Sequence, residues 1–246
     1  MSLIKGKTAL VTGANRGIGK AFVEALLDRG AAKVYAAARN PETLADIVAQ
    51  GGGRVVPVAI DVTKPDTILD AAGELTDVTV LVNNAGVAEY AGFIAAASDV
   101  HARIEMETNY FGVFNMIRAF APVIEAGGGG AVINVASIAS HVNFPVLGSY
   151  SASKAAVHSL TQGVRAELAA KGIRVVGVYP GPIDTDMAAG VDMEKTPPAA
   201  VAASVLAGLD AGDEDIYPDP TAQELHAGLL ADPKAVEKQT GAMLPG

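Results

Sequence analysis

Short runs of nearly continuous apolar residues recur along the chain, a pattern typical of β-strands that are covered on both faces. Each run is four to eight residues long and is separated from the next by polar or glycine-containing sequence. The strands predicted in this way are 8–12, 33–38, 54–60, 78–82, 131–135 and 174–178.

Segments with helical periodicity lie between these runs and predict helices over 19–29, 42–50, 65–74, 98–124 and 149–171. Gly30 can stop the first helix, and Pro41 lies where a first helical turn accepts proline. Strands and helices that alternate at this spacing indicate parallel βαβ units. We therefore predict an α/β fold, a doubly wound parallel sheet with helices on both faces.

The length of 246 residues is one that α/β proteins often fold into a single domain, so we predict one domain over 1–246. The pattern weakens from about Ala188, where Pro197 and Pro198 follow and 213–220 is acidic and contains two prolines. We expect a flexible excursion around 187–215, followed by one helix and a last short strand.

Composition narrows the possible partners. The net charge of −9 and a pI near 4.9 argue against nucleic acid or an anionic membrane as a partner, because both require clustered cations. The chain has no cysteine, which excludes disulfides, thiolate zinc sites and iron–sulfur clusters. The N-terminus reads as a strand, not as a signal peptide, and no run of 18 apolar residues occurs. We expect a cytoplasmic protein.

A glycine-rich turn joins the first strand to the first helix. Its spacing is Gly-x-x-x-Gly-x-Gly, and such a turn lets the backbone approach a pyrophosphate at a helix N-terminus. The alternative is a tight turn in which the glycines serve packing. The candidate cofactor-binding residues here are Gly13, Asn15, Arg16, Gly17, Ile18 and Gly19.

The end of the second strand indicates which cofactor is preferred. Dinucleotide folds that prefer NAD place Asp or Glu there, whereas a nearby Arg accepts the 2′-phosphate of NADP. This chain has Arg39 and no acid at that point, and Arg16 offers a second guanidinium. We predict NADP(H), with NAD(H) possible; the alternative is that both arginines are solvated surface charges.

Polar residues also follow the third and fourth strands, at Asp61-Val62 and at Asn83-Asn84-Ala85-Gly86. Open parallel sheets bind their ligands at the carboxyl ends of the strands. The alternative is that the two Asn and the Gly form a simple turn. Farther on, Tyr150 and Lys154 are four residues apart, which places them on one face of a helix. That spacing alone arises readily by chance.

Together these motifs resemble the short-chain dehydrogenase/reductase family over roughly residues 5–187. The shared pattern is the glycine turn, Asn83-Asn84-Ala85-Gly86, Ser137, Tyr150-x-x-x-Lys154 and Pro180-Gly181 with Thr185. The resemblance implies a single Rossmann-type domain that binds NAD(P)(H). It also implies hydride transfer between the cofactor and a carbonyl or alcohol, with substrate choice set in the excursion around 187–215.

The resemblance assigns catalytic roles to four residues. Tyr150 is the general acid/base, and we expect the charge of Lys154 to lower the pKa of its phenol. Ser137 binds the substrate oxygen, Lys154 also binds the nicotinamide ribose, and Asn109 holds a water of a proton relay. Further cofactor contacts are Asp61, Val62, Asn84, Ala85, Gly86, Pro180, Gly181, Ile183 and Thr185.

The expected substrate is a small, mostly apolar ketone, aldehyde or alcohol. Candidate walls of its pocket are Val87, Phe93, Ile138, His141, Phe144, Leu147, Met187 and Met193, with an exposed loop as the alternative for His141. No histidine has metal-ligand spacing, so no metal is predicted, and His158 is expected in packing or an interface.

Three alternatives stay open: an NAD(H)-preferring alcohol dehydrogenase, a binding sensor without turnover, and a non-redox lyase or epimerase that retains its cofactor. Family members are commonly tetramers or dimers. We expect a homo-oligomer built through the helices around 98–124 and 149–171.

Overall fold

The computed structural model describes residues 3–190 and 192–245. Residues 1, 2, 191 and 246 of the predicted single domain lie outside the described residues. Within the described part of the chain, seven parallel strands form one sheet. They are β1 (Thr8–Thr12), β2 (Lys33–Ala38), β3 (Val55–Ala59), β4 (Val80–Asn83), β5 (Gly130–Val135), β6 (Ile173–Val178) and β7 (Asp215–Ile216).

The strand order is β3-β2-β1-β4-β5-β6-β7. The chain runs outward from β1 to β3, returns to the other side of β1 with β4, and then runs outward again. In open parallel sheets ligands bind at such a reversal point, beyond the carboxyl ends of the strands. In this sheet that point lies between β1 and β4.

The helices are α1 (Gly17–Asp28), α2 (Ala45–Gln50), α3 (Pro65–Glu74), α4 (Val100–Glu105), α5 (Gly112–Ala126), α6 (Gly148–Ala169), α7 (Pro198–Ala211), α8 (Pro220–Ala231) and α9 (Pro233–Thr240). Alternate strand residues face opposite sides of the sheet: Val11 packs in a core with Phe22 of α1, and Leu10 packs in a second core with Phe120 of α5. The predicted doubly wound sheet with helices on both faces is confirmed. No helix among the described residues is long and apolar enough to cross a membrane.

The helix predicted over 98–124 is interrupted. A π-helical turn, Met106–Phe111, separates α4 from α5 and contains the buried Asn109. The side chain of Asn109 is hydrogen-bonded to the N–H and to the carbonyl oxygen of Val87, which lies outside the helix. π-Turns are frequent at functional sites because they redirect side chains within a helix.

The C-terminal part differs most from the prediction. Of the predicted excursion 187–215, the segment before Pro198 is irregular, whereas α7 packs against α1 in the core. After β7 the chain continues into two helices, α8 and α9, where one helix and a last short strand were predicted. Each of these two helices begins with an Asp-Pro pair, in which Asp219 or Asp232 caps the first turn. That pair was a usable signal for both helices.

Candidate active site

A cleft of about 1220 Å³ runs along the carboxyl edge of the sheet. It extends from Arg39, at the end of β2, past the glycine turn to Tyr150 on α6. All predicted site residues line this cleft except Gly19 and Asn109. The sequence motifs, which are far apart in the chain, therefore meet in one continuous groove.

The glycine turn leaves its backbone open to a ligand. Gly13 and Gly17 have φ angles of 64° and 52°, a region that favours glycine. Arg16 precedes α1 without a side-chain cap, and the first turn of α1 has no acidic residue. The first N–H groups of α1 therefore lack an intrahelical partner and face the cleft, as a diphosphate requires.

Gly19 acts in packing instead. A Cβ atom at this position would lie 2.1 Å from the carbonyl oxygen of Gly13 and 2.5 Å from Nδ2 of Asn84. The packing alternative for the glycines thus holds for Gly19, which lets α1 approach the end of β1. Asn84 joins two strand ends, since its Nδ2 donates to the carbonyl oxygens of Thr12, at 2.9 Å, and Gly13, at 3.2 Å.

At the far end of the cleft the charges are suited to an anion. Arg39 is exposed, and no ion pair to it occurs within the described ranges. The pKa of Asp61 is lowered: burial raises it, but the hydrogen bonds from Thr63 and the nearby cations together lower it by more. The charge of Arg39 makes a smaller contribution than Thr63, in the same direction. Arg16 differs from Arg39, because its guanidinium pairs with Asp186 at 3.0 Å and both side chains are largely exposed.

The catalytic candidates converge at the end of β5. The hydroxyl of Ser137 is near enough to Tyr150 to act on the pKa of its phenol, and Ser137 Oγ accepts from the N–H of Ala139 at 3.2 Å. Nζ of Lys154 lies 5.7 Å from the ring centroid of Tyr150, which confirms that both side chains share one face of α6. The buried ammonium donates to the carbonyl oxygen of Val135 at 2.9 Å.

The pKa of Tyr150 shifts in the direction opposite to the prediction. The pKa of the Tyr150 phenol is raised to about 12, chiefly by burial; the interaction with the Ser137 hydroxyl acts in the opposite direction, and the neighbouring Tyr90 and Glu105 contribute to the rise. Burial also lowers the pKa of Lys154 to about 8. The spacing in the sequence showed that Lys154 lies near Tyr150, but it did not show that the phenol is desolvated. Desolvation has the larger effect on the pKa of Tyr150.

Asn109 lies behind the cleft. Its Oδ1 accepts from the N–H of Val87, and its Nδ2 donates to the carbonyl oxygen of Val87 and to Oγ of Ser153, each at 2.9 Å. A Cβ atom at Gly86 would lie 3.1 Å from Asn109 Oδ1 and 3.5 Å from Lys154 Nζ. Gly86 therefore lies against both Asn109 and Lys154, with little room for a side chain between them.

The loop after β6 is anchored by a residue that the sequence analysis missed. Asp219 is 2% exposed; its Oδ2 accepts from the N–H of Gly181 at 2.8 Å, and its Oδ1 accepts from the N–H of Ala222 at 2.9 Å. One carboxylate thus caps α8 and fixes the Pro-Gly loop. Thr185 lies on the opposite rim, where a Cβ atom at Gly17 would be 3.0 Å from its Cγ2.

The substrate end of the cleft is largely apolar. Val87, Ile138, Phe144, Leu147, Met187 and Met193 line it as predicted. The C-terminal segment, which was not predicted to reach the cleft, adds a further wall that includes Leu225, Val236, Gln239, Thr240 and Met243. Phe93 was predicted as a wall and is not one: it is 59% exposed and packs over Gly148 instead.

His141 neither lines the cleft nor lies in an exposed loop, so both alternatives for it were wrong. It belongs to an aromatic cluster with His158, Tyr179, Tyr217 and His226 behind the Ser137 turn. Its Nε2 is 3.3 Å from the hydroxyl of Tyr217, and Nδ1 of His158 is 2.7 Å from the hydroxyl of Tyr179. Burial lowers the pKa of His141 to about 4. His158 is a packing residue, as expected.

The histidines of the aromatic cluster do not form a metal site. Within the residues that the structure describes, no group of three or more histidine, aspartate or glutamate side chains could hold a metal ion.

Comparison with known proteins gives a consistent result. The family model for short chain dehydrogenases matches residues 7–196. A short chain dehydrogenase from Burkholderia cenocepacia J2315, solved in complex with NADP, aligns with a TM-score of 0.92 at 45% identity. That alignment covers 98% of this chain and 99% of the other.

Two relatives carry names that state an activity. A sorbitol dehydrogenase from Cereibacter sphaeroides is 38% identical over 194 residues, which are 77% of this chain and 75% of the relative. A 3-oxoacyl-acyl-carrier-protein reductase from Vibrio cholerae is 35% identical over 236 residues, 94% of this chain and 92% of the relative. The matched family region, 7–196, contains every predicted site residue from Gly13 to Thr185.

Proposed function

Because the chain belongs to the short-chain dehydrogenase family and is an oxidoreductase of that family, we propose that it interconverts a ketone or aldehyde and an alcohol with NADP(H). The observation that carries this proposal is the convergence of Tyr150, Ser137 and Lys154 in one cleft with the glycine turn. A proton donor, an oxygen-binding hydroxyl and a cation are what carbonyl reduction needs beside a dinucleotide.

The residues of the cleft fit such a cofactor. The open N-terminus of α1 suits the diphosphate, and the two left-handed glycines bring the backbone close to it. Arg39 and Arg16 are the cations available for a 2′-phosphate, and the end of β2 has no acid to favour a free ribose hydroxyl. These features support NADP(H) over NAD(H), as does the similar Burkholderia protein that was solved with NADP.

In the proposed reaction, a nicotinamide bound in this cleft would supply hydride to the carbonyl carbon, or would accept it from the alcohol. Tyr150 donates its phenolic proton to the carbonyl oxygen as negative charge develops there, and it takes the proton back in the oxidative direction. Ser137 holds the same oxygen by a hydrogen bond. One hydride and one proton then convert C=O into CH–OH.

Lys154 stabilises the phenolate that Tyr150 becomes after it has given up its proton. The positive charge is 5.7 Å from the ring centroid and is buried, where screening by water is weak. We propose that Lys154 also binds the nicotinamide ribose. Asn109 would hold a water that links Lys154 to solvent, so that the proton of Tyr150 is replaced.

The substrate proposed here is small and mostly apolar. The walls at the Tyr150 end are methionine, phenylalanine and aliphatic side chains, and the cleft's arginines lie at the opposite, phosphate end. The net charge of −9 disfavours acyl groups on an acidic carrier protein, although the Vibrio relative is named for such a substrate. A cytoplasmic location and a homo-oligomer through α4, α5 and α6 stay predictions.

A spectrophotometric screen tests the proposal. Purified protein is mixed with NADPH or NADH and a panel of ketones and aldehydes, and in the reverse direction with NADP⁺ or NAD⁺ and alcohols. We expect loss of absorbance at the NADPH wavelength with at least one carbonyl compound, and a loss about 10²- to 10⁴-fold slower with the Tyr150→Phe variant. Cofactor binding without turnover would favour a sensor, and turnover without net change of cofactor would favour an epimerase.

A further inference from the structure

Tyr90 has a backbone conformation that bulky residues rarely adopt. Its φ angle is 51°, and no other non-glycine residue in the described ranges has a positive φ. A tyrosine in this region is strained, and such strain persists only where neighbouring contacts impose it. Strained residues cluster at ligand-binding sites.

The segment before Tyr90 is fixed by hydrogen bonds to side chains of α4 and of the π-helical turn, and these bonds hold Tyr90 in its strained conformation. Asn109 bonds to both the N–H and the carbonyl oxygen of Val87. Two residues later, Oε1 of Glu105 accepts from the N–H of Glu89 at 2.8 Å, and the carboxylate of Glu89 is 3.0 Å from Nδ1 of His101. Tyr90, with its positive φ angle, is the first residue beyond the stretch that these bonds fix.

Glu105 is an unusual residue for this purpose. It is 0% exposed, and its Oε2 has no hydrogen-bond partner among the described residues. A buried carboxylate with one free oxygen is costly, so a neutral acceptor would have served packing better. The one bonded oxygen of Glu105, Oε1, fixes the N–H of Glu89, the residue that precedes Tyr90.

The conformation directs the phenol of Tyr90 across the cleft. Its hydroxyl donates to the carbonyl oxygen of Met187 at 2.6 Å, on the opposite rim. Tyr90 and Met187 both line the cleft. The two phenols are near enough for Tyr90 to raise the pKa of Tyr150. The Tyr90–Met187 bond therefore bridges the opening in front of the catalytic candidate.

We propose that Tyr90 is a specificity-determining residue: its ring, fixed by the strained backbone and by the bond to Met187, limits the size of the substrate that reaches Tyr150. This inference rests on the proposed function. Since the hydroxyl is already used as a donor, Tyr90 acts mainly by excluding volume, and Glu105 is a positioning residue that acts through Glu89 and Tyr90.

Four variants separate ring, hydroxyl and backbone. Tyr90→Phe keeps the ring and loses the bond to Met187; Tyr90→Ala loses both and keeps the strain; Tyr90→Gly also relieves the strain. Glu105→Gln keeps an acceptor for the N–H of Glu89. Tyr110→Ala is the matched control, because Tyr110 packs against Phe111 and Phe114 and does not line the cleft.

The first measurement is kcat/KM for 2-butanone, acetophenone and 2-acetonaphthone with NADPH. We expect Tyr90→Ala and Tyr90→Gly to shift the ratio of 2-acetonaphthone to 2-butanone upward by about tenfold or more. The Kd for NADPH should stay within about twofold, and Tyr90→Gly should unfold at a higher temperature than Tyr90→Ala. Glu105→Gln should keep the wild-type ratio.

The second measurement needs no substrate. The amides of Ala188 and Ala189 donate to Thr185 and Asp186 beside the bridged carbonyl. We expect their hydrogen exchange to be about fivefold faster in Tyr90→Phe than in the wild type, and unchanged in Tyr110→Ala.

If the wild-type protein is active while the Tyr90 variants keep the wild-type ratio of substrates, the inference is wrong and the proposed function stands. Unchanged exchange at Ala188 and Ala189 in Tyr90→Phe would refute the bridge to Met187. If the wild type turns over no carbonyl compound or alcohol with either cofactor, the proposed function fails and the inference fails with it.

Discussion

Nζ of Lys154 donates a hydrogen bond of 2.9 Å to the carbonyl oxygen of Val135, and this is where a buried cation is held at the carboxyl end of β5. The lysine is 4% exposed, and burial lowers its pKa from 10.5 to about 8. Below pH 8 the folded protein therefore carries a charge that burial disfavours. The cation that the proposed reaction requires reduces the stability of the fold.

Replacing Lys154 should consequently stabilise the protein without cofactor. A pKa depressed from 10.5 to about 8 corresponds to a destabilisation of about 3 kcal/mol. It is fully present below pH 8 and disappears as the pH rises to 10.5, where the unfolded chain also loses the proton. After subtraction of about 1 kcal/mol for the lost hydrogen bond, Lys154→Met should gain about 2 kcal/mol at pH 7.

Thermal unfolding at pH 7 and at pH 10.5 checks this prediction. The melting temperature of Lys154→Met should exceed that of the wild type by about 4 to 8 °C at pH 7, and the gain should be absent at pH 10.5. Lys171→Met is the control, because that exposed lysine pairs only with Glu125 and should change little. A gain that does not depend on pH would contradict the proposed cause.

Tyr150→Phe should abolish most of the turnover while leaving cofactor binding intact. The phenol is the only proposed proton donor, and general acid catalysis contributes about 10² to 10⁴ in rate. Initial rates of NADPH oxidation should fall by that factor, with the Kd for NADPH within about twofold. Tyr35→Phe is a suitable control, since Tyr35 bonds to Lys33 and Asp77 outside the cleft. Near wild-type rates in Tyr150→Phe would place the proton donor elsewhere.

Much of the fold could be predicted from sequence because its signals are local. Strands β1 and β2 occur where their apolar runs predicted them, and α3 has the predicted bounds. Only one helix was predicted where α8 and α9 lie, because each of them buries few residues: Ala222 in α8, and Val236 and Thr240 in α9. Their only clear signal was the Asp-Pro start, which the periodicity did not reveal.

The site was predicted less evenly. Motif residues could be assigned because their order along the chain is specific, whereas contacts that depend on burial could not. The i, i+4 spacing placed Lys154 beside Tyr150 but did not show that desolvation would raise the pKa of the phenol to about 12. Glu105 likewise looks like a surface residue of a helix in the sequence, and only the packing of α4 shows it to be buried.

Arg39 should determine the preference between the two cofactors. Its guanidinium lies at the phosphate end of the cleft without an ion-pair partner in the described part of the chain, so a 2′-phosphate can pair with it. Arg39→Ala should weaken NADPH binding by about 10- to 100-fold and NADH binding by less than about twofold. Fluorescence titration with both nucleotides measures this.

Arg16 should matter less than Arg39, because Asp186 competes for its charge at 3.0 Å. Arg16→Ala is expected to weaken NADPH binding by a few-fold, and Arg103→Ala, which removes an exposed pair with Asp99 on α4, should have no effect. If the wild type binds NADH at least as tightly as NADPH, the role given to Arg39 is wrong.

His141 should make the fold sensitive to acid. Burial and the nearby His158 and His226 hold its pKa near 4, below the usual 6.5. The unfolded chain takes up a proton first, so stability is lost as the pH falls from 6.5 to 4. Because the side chain is partly exposed, the loss is about 1 to 2 kcal/mol.

His141→Phe should reduce the loss of stability between pH 6.5 and pH 4. It should also lower the stability at pH 7, because the contact with Tyr217 is lost. Urea unfolding between pH 4 and pH 7 measures both effects. His101→Phe serves as the control, since His101 lies apart from the aromatic cluster and pairs with Glu89. An unchanged loss of stability at acid pH in His141→Phe would show that other groups cause it.

Asp219 should couple the stability of α8 to the chemistry of the cleft. One oxygen caps α8 through Ala222 and the other holds the N–H of Gly181, so Asp219→Ala loses a cap and leaves a buried donor unpaired. We expect a loss of about 2 to 3 kcal/mol and a fall in kcat of about tenfold.

Asp232→Ala is the matched control, because Asp232 caps α9 through Ala235 and is exposed. It should cost about 1 kcal/mol and leave kcat unchanged. Thermal unfolding and NADPH oxidation of the two variants decide the point, since equal effects on kcat would mean that Asp219 acts only as a helix cap.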